Sequence, residues 1–170
     1  SPGGGESSVN HAIALSMVGR PDEGVPILKM AAGRVRDVGP SANVLSAYAL
    51  ALAASGDHEA ALIQAARVAA LDGGTYLDHT TAHLAAACAA AAAGDAEGAL
   101  AALDAADQQV SATDDELTKA ITQLARGRVL EALGSPSASD VLAVARVALG
   151  ELFVSGDGWD TVFRLAVTAA

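Results

Sequence analysis

Apolar residues return every three to four positions along most of the chain, and the returns stop at short clusters of Gly, Pro, Asp and Ser. That spacing is helical, because 3.6 residues complete a turn and one stripe then faces a core. The punctuation predicts nine helices, at about 8–18, 22–36, 41–54, 58–71, 75–93, 96–110, 113–133, 137–149 and 159–169. The start signals have a chemical basis. Thr75-Tyr76-Leu77-Asp78 reads as a capping box, and Thr113-Asp114-Asp115-Glu116 as a better one, since the longer Glu reaches back to the Thr N–H. The breaks recur as well. Gly19, Gly56, Gly94 and Gly134 are spaced by 37, 38 and 40 residues, a nearly fixed period that predicts stacked helix pairs.

The residues around each break repeat. Gly19-Arg-Pro-Asp-Glu-Gly-Val25, Gly56-Asp-His-Glu-Ala-Ala-Leu62 and Gly94-Asp-Ala-Glu-Gly-Ala-Leu100 share a Gly turn, an acidic helix start, a small residue and then an aliphatic one. Gly supplies the positive φ that ends the first helix of a pair. Asp57 and Asp95 cap the second, and Glu59 and Glu97 sit at its positive end. Gly24, Ala61 and Ala99 allow close helix approach. With the small residues Ala12, Ala49 and Ala87 midway along the first helices, and Ala31 and Ala106 late in the second, this pattern resembles the tetratricopeptide repeat family in a divergent, long-period form.

The resemblance implies an all-α fold: a right-handed α-α solenoid of about four antiparallel helix pairs (8–37, 41–72, 75–110 and 113–150). Residues 1–7, rich in Gly and Ser, read as a flexible linker, and the chain as one domain of a larger protein. Residues 155–170 read as a helix capping the open end of the array, with Trp159, Val162, Phe163 and Ala166 on one face. In this family the first helices line a concave surface. Carried onto this sequence, that surface comprises Val9, Ile13, Met17, Asn43, Ser46, Leu50, Thr81, Leu84, Cys88, Ile121, Leu124 and Arg128. Two readings stay open: a groove for an amphipathic helix or extended apolar peptide, or a tightly wound array in which these residues are core. The family's carboxylate-gripping mode is disfavoured, because helices one, three and five contain neither Lys nor Arg.

Composition narrows the function. The chain has 170 residues, 42 of them Ala, with 52% apolar and 3% aromatic residues, which favours close-packed helices over sheet. The net charge of −10 and the scattered Arg exclude a nucleic-acid footprint. The longest charge-free run, Val38–Gly56, is too polar to cross a bilayer. Cys88 lies in an apolar run and reads as a buried, inert thiol. His79 and His83 are spaced i, i+4 but lack a third ligand, so neither metal nor cofactor is expected. No nucleophile elbow or phosphate loop is present. The expected function is therefore a non-catalytic protein–protein interaction domain, a scaffold or adaptor binding a protein or peptide. The alternatives are a regulatory or sensor domain of a bacterial transcriptional or signalling protein, binding a small effector or holding intramolecular neighbours in an inhibited state, and an envelope assembly factor behind a membrane anchor. A cytoplasmic location is favoured, with a membrane-anchored soluble domain as the alternative.

Overall fold

The computed structural model describes residues 3–34 and 38–169. The described secondary structure is α-helical throughout, in nine helices: α1 Gly3–Met17, α2 Pro21–Ala32, α3 Val38–Ala54, α4 His58–Ala69, α5 Tyr76–Ala92, α6 Ala96–Ser111, α7 Glu116–Ala132, α8 Ala138–Glu151 and α9 Asp157–Ala166. α1 begins at Gly3, inside the segment read as a linker, and the first two residues of that segment lie outside the described residues. The expected end of the second helix, Arg36, also lies outside them.

Local chemistry explains the helix ends. Asp57 accepts from the Ala60 N–H at 3.2 Å and Asp95 from the Gly98 N–H at 2.9 Å. Thr75 and Asp78 form a complete capping box. Thr113 does not cap α7: Asp115 does, accepting from the Thr118 N–H at 2.9 Å. Asp at the N-cap is at least as good an acceptor as Thr, and Thr113 instead donates to the Val110 carbonyl of the preceding helix.

Five helices end on one turn. The N–H groups of Arg20, Asp57, Asp95, Ser135 and Val154 reach back five residues to the carbonyls of Leu15, Leu52, Ala90, Leu130 and Leu149. This closure requires a left-handed residue just before the donor. Gly19, Gly56, Gly94 and Gly134 fill that place after α1, α3, α5 and α7, and Phe153 fills it after α8 with φ of 58°. A side chain there costs about 1–2 kcal/mol. Phe153 is also 99% exposed, so no packing offsets the cost.

α1 packs on α2, α3 on α4, α5 on α6 and α7 on α8, while α1, α3, α5 and α7 follow one another side by side. α5 is central and buried nearly all round, from Ala82 and Leu84 to Cys88 and Ala91. Small residues set the spacing. A Cβ on Gly24 would lie 3.1 Å from the Ala12 methyl. One on Gly127 would lie 2.5 Å from Leu142 Cδ2, 2.6 Å from its Cγ and 3.3 Å from its backbone N. Gly127→Ala is therefore expected to destabilise the fold by about 1–2 kcal/mol, overpacking outweighing the better helix propensity of Ala. The urea midpoint measures this, and a midpoint at or above that of the native chain would refute the close α7–α8 contact.

α9 does not lie over the open face of α8. It packs against α1, α3 and α7, and more lightly against α5. Its apolar residues Val162, Phe163 and Ala166 leave water in that seat, where the sequence pattern suggests a cap on the last pair.

Candidate functional site

The face made by α1, α3, α5 and α7 holds one occupant, the chain's own α9. The chain reverses onto it over Leu152–Gly156. Phe153 closes α8, and Gly156, also left-handed at φ 73°, precedes α9. Asp157 and Asp160 lie in the first turn of α9 and Arg164 in the last, both suited to the helix dipole. Val162, Phe163 and Ala166 are buried, and Phe163 is wholly inaccessible. Trp159 stacks on Phe163 with ring centroids 5.9 Å apart. Gly158 allows the helix to sit directly on Met17, whose Cβ and Cγ would lie 3.1 Å from any added Cβ.

The polar anchor is Arg128. Its Nε donates to Asp160 Oδ1 at 2.7 Å and its Nη2 to Asp160 Oδ2 at 2.8 Å. This fork matches a guanidinium to a carboxylate in both charge and plane. The two side chains are only 11% and 18% exposed. Hydrogen bonds from Arg128 hold the Asp160 carboxyl below the usual carboxylate range, and the same pair raises Arg128 above its ordinary value. At the other end of α9, His58 Nε2 donates to the Ala166 carbonyl at 3.1 Å. Beneath α9 only about 10 Å³ remains, between Ile13, Ser16, Leu50, Trp159, Val162 and the alanines around them. That is at the lower limit for one water molecule.

The residues assigned to the concave surface divide into two sets. Ile13, Met17, Leu50 and Arg128 come together around α9. Val9, Ser46, Leu84, Cys88, Ile121 and Leu124 are buried, and Asn43 and Thr81 are half-buried; Leu84, Cys88, Ile121 and Leu124 belong to the same hydrophobic core as Val162, Phe163 and Ala166 of α9. Burial pushes the Cys88 thiol up to about 12, so it is not a nucleophile at neutral pH. Asp160 was missed in the sequence. The signal for it was indirect: Arg128 is the one charge in an apolar set, and such a charge needs a counter-charge from elsewhere.

The remaining polar clusters are structural. Tyr76 donates to Asp115 at 2.8 Å and ties the start of α5 to the α7 cap. Arg126 joins α7 to Asp104 and Asp107 of α6. His79 donates to the Gly73 carbonyl at 2.9 Å, and burial together with the neighbouring His79 lowers the pKa of His83. Among the described residues, no three His, Cys, Asp or Glu side chains form a metal-binding group. A shallow depression of about 290 Å³ lies between the ends of α2 and α4 and the start of α3, with Arg67 its one charged group. No described helix is long and apolar enough to cross a membrane. Comparison with family models, with curated proteins and with solved structures gave no significant match.

Proposed function

We propose that this domain is a non-catalytic protein–protein interaction module, a scaffold or adaptor of tetratricopeptide-like helix pairs stacked as a right-handed solenoid. Its inner face receives one amphipathic helix. The observation that supports this is the seating of α9: a short helix laid across α1, α3, α5 and α7, anchored by an aromatic pair and by one bidentate ion pair. Helix-in-groove recognition uses the same i, i+3, i+4, i+7 anchors. α9 carries them as Trp159, Val162, Phe163 and Ala166, with Asp160 facing Arg128. A partner helix of this chemistry has an aromatic and aliphatic stripe with a carboxylate one residue after its first anchor. The groove is already filled in cis, and this favours a regulatory role in which a partner must displace α9.

A labelled peptide of residues 157–168 tests the reading. It should bind a chain carrying Phe163→Ala, in which the resident helix is weakened, at least about tenfold more tightly than it binds the native chain. Replacing Asp160 of the peptide by lysine should cost about tenfold or more. Absence of binding to a folded Phe163→Ala chain would sink the groove reading.

A further inference from the structure

We infer that α9 exchanges between two copies of this chain, the α9 of each copy docking in the groove of the other, so that the domain forms a swapped dimer through the hinge Leu152–Gly156. The two forms have the same groove contacts: Met17 against Gly158, Arg128 on Asp160 and Phe163 in the core. Groove affinity therefore cancels between them. What decides the balance is the hinge, set against the entropy of association.

The hinge is the one place where the closed form departs from its own rule. The same helix-ending turn carries Gly at its left-handed position after α1, α3, α5 and α7, and Phe after α8. A β-carbon is disfavoured at that φ, and reopening the turn releases the strain. Phe153 is 99% exposed in the closed form, and the α8 leading into the hinge presents Val144 and Val147, 66% and 63% exposed, three residues apart on one face. Two copies joined by crossing hinges bring these apolar surfaces together. A short strained hinge beside a detachable terminal element is the usual physical basis of a domain swap.

Size-exclusion chromatography with light scattering, from low to several hundred micromolar, measures the equilibrium. The native chain should show a dimer that grows with concentration. Phe153→Gly, which fits the positive φ, should weaken dimerisation by about tenfold or more. Phe153→Pro, which cannot adopt that φ, should shift the chain to dimer. A folded Phe153→Pro chain that stays monomeric, or a native dimer unmoved by Phe153→Gly, overturns the proposal. A second experiment stands if the proline variant fails to fold. Chains carrying Arg128→Asp are refolded together with chains carrying Asp160→Arg. Each alone sets like charges against each other, whereas both grooves of a swapped heterodimer pair a carboxylate with a guanidinium. A heterodimer from the mixture supports exchange of α9, and its absence overturns the proposal whatever the hinge variants do. These readouts concern self-association alone, so the peptide experiment above can fail or succeed independently.

Discussion

Phe163→Ala is expected to cost about 3–5 kcal/mol, the largest effect of any single truncation in α9. Among the described residues Phe163 is the largest side chain with no solvent exposure, and it sits where α9 enters the core formed by the preceding helices. Truncation leaves a cavity that the Ala-rich walls cannot collapse to fill, since alanine has no rotamers with which to reach inward. It also removes the stacking partner of Trp159. The loss falls first on α9, which is held by one loop and one face, and then on the helices it covers. Trp159 is the single tryptophan of the chain, so its emission reports on α9 directly. In the variant that emission should shift to the red at a lower urea concentration than the loss of helical circular dichroism. A native emission and an unchanged urea midpoint would mean that α9 does not sit on this face.

The second large effect concerns Arg128. Arg128→Ala should destabilise the protein by about 2–3 kcal/mol, because it leaves the largely covered Asp160 carboxylate with only the exposed Arg164 guanidinium, 3.6 Å away, to offset its charge. The figure lies below that for a fully buried pair because both groups keep some contact with water. The pair also carries a pH dependence with a definite sign. The folded-state pKa of Asp160 is depressed, chiefly by its hydrogen bonds to Arg128, relative to an unfolded aspartate near 3.9. Its contribution is therefore fully present above the unfolded value and is lost as pH falls through the folded one. Asp115, held low by its hydrogen bonds from Thr118, adds to the same acid limb. The diagnostic comparison is between the native chain and Asp160→Asn. The native chain should lose more stability between about pH 5 and pH 2 than the variant does. Equal losses in urea titrations at both pH values would mean that the ion pair does not stabilise the fold.

The helices themselves were legible in the sequence. Gly19, Gly56, Gly94 and Gly134 mark the ends of α1, α3, α5 and α7, because the closing turn demands a left-handed residue and glycine supplies it. Asp57, Asp95 and Thr75 mark starts, because their side chains reach orphan N–H groups three residues ahead. Where the reading of α7 differs, at Asp115 rather than Thr113, two cap residues stood two positions apart and local chemistry alone did not choose between them. The end of α8 was harder to place, since its left-handed residue is Phe153 and nothing in a phenylalanine signals positive φ.

The candidate site was half legible. The stripe Trp159, Val162, Phe163 and Ala166 says that α9 buries one face, because apolar residues at that spacing leave water together. It does not say against what. Local patterns act over a few residues: caps, turns and the helical period are settled between neighbours in the chain. The seat of α9 rests on contacts between residues far apart, with Arg128 and Asp160 separated by 32 positions and His58 and Ala166 by 108. Sequence alone determined that there would be helices, where most begin and end, and which faces avoid water. Tertiary structure decided which faces meet, and it placed the last helix against α1, α3, α5 and α7, because packing and charge pairing in three dimensions depend on distances that spacing along the chain does not encode.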